Sequence, residues 1–399
     1  MKGDPPSPTM GSPSARWDDD DTVLEQPSSN KKPRRSDNLE EEEANEDISK
    51  PTKNPVDDGS GGKFRLAQTF MDDSAWVAFD STGTLIATAV GNAIIVRKLA
   101  DFRVYKTLKE EQAFFRIGAV CFHPFKRLLA SSSSPPNIPL MFGGRPATNY
   151  KIWEIDTGVI LLTMSIDDFD IPPELCFSPD GNLLATLNET GVVLWDCTTG
   201  RMRKVLTKED ADSEESLPTT LCFDSEGARV IAGTDAGVIV VWDVETGEVV
   251  QMKRHGWKRD DHAEDFDGYI GSVCYADRDS YQLVTASGRG VGEADWGGIR
   301  FWGENRVGDF ELVRTVRAHD KPIWSLAYNH RSNLLVSYSQ DQTVKIWILH
   351  SEGVSLQQTL KAPTKLTLSV ALDKTGQWLA VCVPNGDGQP GVRLYRATY

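Results

Sequence analysis

Cys121, Cys176, Cys222 and Cys274 first suggest chemistry in this 399-residue sequence, because grouped thiols can hold a metal or exchange disulfides. They follow one another at intervals of 55, 46 and 52 residues, with no Cys-x-x-Cys pair and no histidine at zinc spacing. They read as reduced thiols in a reducing compartment, and no metal is expected. His319 and Asp341 could form a catalytic pair, but no serine nucleophile stands with them in a recognisable triad. Gly288-x-Gly290-x-Gly292 follows an apolar run but opens no helix, so it cannot cradle a phosphate. Gly61-Gly62-Lys63 lacks the rest of a phosphate-binding loop. Acidic pairs are common, as in any acidic surface, and none makes an acid/base dyad without geometry. No catalytic residue and no cofactor is expected.

The net charge of −15 disfavours nucleic acid or an anionic membrane as the main partner, since either would repel the molecule as a whole. No apolar run approaches the ~18 residues of a membrane span. The first residues, MKGDPPSPTMGSP, lack the apolar core of a secretory signal.

What positions the cysteines is a repeat. The stretches WVAF, AVCF, ELCF, TLCF, SVCY, SLAY and SVAL place Ala78, Cys121, Cys176, Cys222, Cys274, Ala327 and Ala371 in one slot. A slot restricted to Ala and Cys asks for a small apolar side chain, because a free cysteine packs as one. Each unit continues with a glycine turn (DSTG, SPDG, DSEG and DKTG are clearest) and a leucine-rich or β-branched run. A third run closes on Trp153, Trp195, Trp242, Trp302, Trp347 or Tyr395, with Val96 in that place in the first unit. Several units then add a Thr-Gly turn and a more polar strand. Seven such four-stranded units must stack to bury their faces, which predicts an all-β, seven-bladed propeller.

The units resemble WD repeats, with Trp-Asp written out at Trp195-Asp196 and Trp242-Asp243, and the resemblance covers residues 63–399. WD propellers often tie each blade with a His–Ser/Thr–Asp–Trp hydrogen-bond set. The resemblance implies that set for His319, Ser337, Asp341 and Trp347 in the sixth unit, which gives His319 and Asp341 a structural role rather than a catalytic one. The other units depart from that pattern. The last unit ends on its third strand, VRLYRATY, while KFRLAQTF (63–70) precedes the first unit with none of its own. KFRLAQTF is therefore expected to complete the last blade and remove the open edges.

Residues 1–62 are a different material. They hold eight prolines, eight Lys/Arg and fifteen Asp/Glu, too polar to offset their ordering entropy, so a disordered acidic arm is expected. Within it Lys31, Lys32, Arg34 and Arg35 resemble a nuclear localisation signal, so a nuclear location is expected, with a cytoplasmic one as the alternative.

The repeat is interrupted mainly in loops joining second to third strands and blade to blade, all on one face of a propeller. Such one-sided insertions commonly mark the binding face. The segment 134–147 carries an apolar tip with Phe142 and Arg145. The segment 253–268 surrounds Trp257 with Lys253, Arg254, Lys258 and Arg259, and 288–298 holds Arg289 and Trp296. Trp and Arg are frequent interface hot spots, although each Trp could equally pack over its own loop. The chain is read as a non-catalytic scaffold, a monomeric propeller within a hetero-complex. It would bind protein partners, acidic or phosphorylated peptides among them, at Phe142, Arg145, Trp257, Lys258, Arg259, Arg289 and Trp296. The alternative is a propeller enzyme or small-ligand binder using the central channel.

Overall fold

The computed structural model describes residues 63–72, 74–111, 115–135, 147–166, 174–207, 216–254, 256–257, 266–276, 281–289, 296–351, 353–362, 369–383 and 391–398. The expected arm, with Lys31, Lys32, Arg34 and Arg35, lies outside the described residues, as do Phe142, Arg145, Lys258 and Arg259.

Seven antiparallel four-stranded sheets form the blades of a β-propeller. Blade 1 runs through Ser74–Phe79, Leu85–Val90, Ala93–Lys98 and Val104–Lys109. Blade 2 is Arg116–Phe122, Leu128–Ser134, Thr148–Glu154 and Ile160–Ile166. Blade 3 is Leu175–Phe177, Leu183–Asn188, Gly191–Asp196 and Met202–Thr207. Blade 4 is Pro218–Phe223, Arg229–Thr234, Val238–Asp243 and Val249–Arg254. Blade 5 is Tyr269–Tyr275, Leu283–Arg289, Gly297–Glu304 and Phe310–His319. Blade 6 is Ile323–Asn329, Leu334–Ser339, Thr343–Leu349 and Val354–Lys361. Blade 7 takes Val370–Leu372, Trp378–Val383 and Gly391–Thr398 from one end of this region and Lys63–Phe70 from the other.

The second and third strands are buried on both faces, which is why they read as continuous apolar runs rather than alternating ones. Leu187 and Leu194 of blade 3 share a core with Val230, Val240 and Trp242 of blade 4. Phe70, Ala380 and Val392 of blade 7 share another with Val77 and Ile86 of blade 1, so the ring is closed by packing. Hydrogen bonds close it as well. Lys63 pairs with Thr398 and Phe70 with Val392 along the strand. Gln358 of blade 6 then clasps Phe64, its Oε1 accepting from Phe64 N at 2.8 Å and its Nε2 donating to Phe64 O at 3.0 Å. Gln251 clasps Phe310 in the same way between blades 4 and 5, with both bonds at 3.0 Å.

The innermost strand of each blade has a partner on one side only. In blade 3, Ser178 N bonds Leu183 O across the hairpin, so by alternation the amides of Leu175 and Phe177 point away from their own sheet. In blades 4 to 7 a side chain of the preceding blade meets such an amide. Glu174 Oε2 accepts from Leu221 N at 3.0 Å, and Thr220 Oγ1 from Val273 N at 3.2 Å. Ser272 Oγ accepts from Leu326 N at 3.1 Å and Ser325 Oγ from Val370 N at 3.2 Å. Two residues on, the Ala/Cys slot does likewise. The Cys121 sulfur meets the Phe177 amide, Cys176 that of Phe223, and Cys222 that of Tyr275. The cysteines are thus more than small fillers, since Ala in the same slot has no acceptor. Trp76 and Ala119 occupy the Glu/Thr/Ser position in blades 1 and 2, where the Ala119 amide bonds Ser132 Oγ of its own blade at 2.9 Å.

Two expectations follow. Removing residues 1–62 should leave the thermal unfolding of the ring unchanged, whereas removal through Phe70 strips blade 7 of its outer strand and exposes an edge. The longer truncation should melt lower and self-associate by light scattering; equal melting of two monomeric truncations would refute closure by this strand. The second concerns Glu174, which burial pushes up from 4.5 to about 8, against the opposing pull of the Thr220 and Leu221 bonds. Between those values the folded chain keeps a proton that the unfolded chain releases, so this residue lowers stability as pH rises through the window. Glu174→Gln keeps an acceptor for Leu221 but cannot ionise. Its urea-unfolding stability relative to the parent should therefore grow from pH 5 to pH 9, and a constant difference would contradict the assignment.

Candidate functional site

Antiparallel order fixes which loops share a face. Turns between first and second and between third and fourth strands lie at one end of the blades. Connections between second and third strands and from blade to blade lie at the other, where the insertions fall. The residues that hold up this second face differ from blade to blade.

In blade 6 His319 is almost fully buried between two partners. Its Nδ1 lies 2.9 Å from Asp341 Oδ2 and its Nε2 2.7 Å from Ser337 Oγ, to which the Trp347 indole also donates at 2.9 Å. Burial, and to a lesser degree Lys345, holds His319 below its ordinary value despite Asp341. Burial alone would raise Asp341, but its bonds from His319 and Thr343 bring it down to about 2. The pair is neutral imidazole and carboxylate at neutral pH, held by hydrogen bonds at both ring nitrogens of His319. Every polar atom is engaged between the end of blade 5 and the body of blade 6, which suits a strut and leaves nothing directed at a substrate.

The same indole-to-hydroxyl bond recurs as Trp153 to Ser131 at 2.8 Å, Trp195 to Thr186 at 2.9 Å and Trp302 to Thr285 at 2.9 Å. In blade 4 the hydroxyl position is Ala232, and the Trp242 indole turns to Thr207 O of blade 3 at 3.0 Å. Blade 1 corrects the reading of Val96. The residue opposite Ile86 is Arg97, matching Trp153 opposite Leu129. Arg97 donates to Thr88 Oγ1 at 3.3 Å and to both oxygens of Asp72 at 2.5 and 3.0 Å, while its guanidinium lies 4.5 Å from the Phe70 ring centre. An ion pair therefore replaces the tryptophan. Blade 2 uses a third variant, a buried Glu110 bonded to Lys151 and to Ser133 at 3.2 Å. A single sequence shows only the His form of these ties, because the others use residue types with no fixed signature.

Trp296 is the candidate binding residue whose side chain is described. It is half-buried at the entry to Gly297–Glu304, and the Arg317 guanidinium lies 5.3 Å from its ring centre. The next residue, Gly297, pairs with His319 across the sheet, and a side chain there would collide with the Lys321 carbonyl and Ile323. That fit seats Trp296 directly beside the blade 6 strut, on the seam between blades 5 and 6. On the inner side of the same seam the Tyr269 and Trp324 rings meet edge to face at 5.9 Å. Arg317, Tyr269 and Trp324 were missed in the sequence. Arg317 stands two residues before His319, and that spacing was the available signal. Trp257 belongs to a two-residue ribbon pairing Gly256–Trp257 with Phe266–Asp267, and Arg289 ends a strand opposite Tyr269.

Among the described residues no three His, Cys, Asp or Glu are grouped so as to hold a metal ion. Burial pushes the Cys197 and Cys274 thiols up to about 12 and raises the other four as well, which keeps all six protonated at neutral pH.

The WD domain, G-beta repeat family matches residues 310–347, which span the blade 5–6 seam and the complete His–Ser–Asp–Trp set. The chain is 26% identical over 166 residues to the APC/C activator protein CDC20 of Saccharomyces cerevisiae, a match covering 42% of this chain and 23% of that protein. It is 23% identical over 211 residues to the target of rapamycin complex subunit wat1 of Schizosaccharomyces pombe, covering 52% of this chain and 59% of the relative. The chain thus spans less than two thirds of either relative's length. In three dimensions it resembles the β-propeller domain of Myceliophteria thermophila Cps50 (Swd1), with a TM-score of 0.64 at 16% identity over 84% of this chain and all of that one. Repeat, register and fold agree on a seven-bladed β-propeller, in which residues 310–347 match the WD-repeat family.

Proposed function

We propose that this chain is a non-catalytic scaffold within a hetero-complex, binding a protein partner on the insertion-bearing face at the seam of blades 5 and 6. Propellers of this family typically serve as interaction scaffolds in complexes, and the names of the two relatives describe an activator of one assembly and a subunit of another. The observation that carries the reading is the Trp296–Arg317 stack, an aromatic and a cation presented together beside a rigid strut. Arg254 at the end of blade 4 and Lys321 at the start of blade 6 are exposed, and the sequence adds Lys258 and Arg259 between blades 4 and 5. A basic patch on a chain of net charge −15 favours an acidic or phosphorylated peptide.

Replacing Trp257, Arg259 and Trp296 with alanine should weaken partner capture by about 1–4 kcal/mol with little change in melting temperature. Affinity purification with mass spectrometry on parent and variant, with and without phosphatase, reads this. A variant that loses stability yet keeps its partners would identify these residues as loop packing.

The arm is proposed to direct nuclear entry through Lys31, Lys32, Arg34 and Arg35. A fluorescent reporter fused to residues 1–62 should concentrate in nuclei and lose that distribution when the four are alanine. Identical distributions of the two fusions would remove the proposal.

A further inference from the structure

The axial channel ends, on the face opposite the insertions, in a cavity of about 330 Å³. Five of the seven blades line it. Its walls are Phe79, Phe122, Phe177 and Phe223 with Leu372, the residues that follow the Ala/Cys slot in each repeat. Its inner end is lined by Cys121, Cys176 and Cys222, whose burial keeps them neutral thiols. The volume falls within the usual range for small-molecule pockets, and mostly apolar walls with few polar groups are their usual make-up.

The rim decides what such a pocket could hold. The Asp80 carboxylate turns into its own hairpin, where Oδ1 accepts from Thr84 N and Leu85 N, both at 2.7 Å. Asp373 does the same for Trp378 N at 2.7 Å and Thr375 N at 3.1 Å, and it is fully buried. Lys374 follows Asp373 directly, on the turn after Leu372, exposed and bonded to no described residue. Among the described residues, the opening therefore offers aromatic walls and the Lys374 ammonium.

We infer that this cavity is a binding site for a small organic acid, a compact aromatic or branched aliphatic body whose carboxylate pairs with Lys374. The body would fill the space between the four phenylalanines, and the neutral thiols would present it with soft, apolar surface. The carboxylate would stay at the rim, where its charge is only partly desolvated. This site lies on the face away from the proposed partner surface, and neither depends on the other.

Isothermal titration of 1-naphthoate into the full chain tests it, with uncharged 1-naphthalenemethanol as the second probe. The parent protein should bind naphthoate with a dissociation constant below about 1 mM. Lys374→Ala, on an exposed turn, should weaken naphthoate about five- to tenfold and leave the alcohol unchanged. Cys176→Leu, which projects bulk into the cavity, should abolish binding of both. If that variant fails to fold, judged by circular dichroism, the Lys374→Ala comparison decides alone. Absence of naphthoate binding to the parent, or equal affinity of parent and Lys374→Ala, would overturn the assignment.

Discussion

The inner edge of each blade is the constraint from which the rest of this ring follows. A four-stranded sheet standing radially has its first strand at the axis, with one row of amides facing no strand of its own. Buried amides without partners cost about 1–3 kcal/mol each, so seven unsupported edges would consume most of a domain's stability. The chain meets the cost with single side chains rather than with strands. Glu174, Thr220, Ser272 and Ser325 reach forward to the next blade, and the slot cysteines add a second contact. Each contact also sets the spacing between neighbouring blades. Satisfying the edge and fixing the angular pitch are the same act.

At the outer end the problem is one of support, and several chemistries solve it. His319 with Asp341, Arg97 with Asp72, and Glu110 with Lys151 all bridge an inter-blade segment to the middle of a blade. A buried ion pair gains less than its short distances suggest, because desolvation offsets much of the attraction. Its use here is geometric. Arg97 spans the gap that Trp347 and His319 fill together in blade 6, and the Phe70 ring stacked on it ties that blade to the closing strand. Replacement of one tie by another leaves the fold intact, which is why six of the seven units can depart from the His–Ser–Asp–Trp pattern.

This interchangeability also explains what was legible in the sequence. Strand runs, turn glycines and the aromatic close of each third strand follow from burial on both faces, and such patterns survive in a single chain. Ties do not, because Arg97 and Glu110 are ordinary charged residues until the register places them. Val96, the last apolar residue of its run, was given the tryptophan's place, whereas the structure puts the cation there. The cysteine slot was half legible. Its small size could be read from Ala alternatives, but its contact with the neighbouring amide needs the adjacent blade. The aromatic fourth letter of six of the seven tetrads was written in plain view, yet its meaning as a channel wall depends on seven units converging on one axis. Of the candidate site, Trp296 could be singled out by residue type alone. Its partner Arg317 comes from a strand some twenty residues on, and only the Gly298–Arg317 pairing brings the two together.

The division of labour between the two faces has a functional consequence. Turns on the face with the cavity are short and locked to their neighbours. Gly181, at φ +74°, lies so close beneath His123 that any side chain there would strike the imidazole. Asn329 Nδ2 donates to Asp373 O across blades 6 and 7, and Arg229 pairs with both Asp224 and Glu304 across blades 4 and 5. A face bound in this way cannot accept insertions without breaking the ring. The opposite face can, because its struts sit below the loops and within the blades. Long loops therefore accumulate where they cost the ring least, and they stand on supports rigid enough to hold a residue such as Trp296 in place. Rigidity beneath and freedom above is the condition a protein-binding surface requires, and it arises here from where each blade's unpaired groups find their partners.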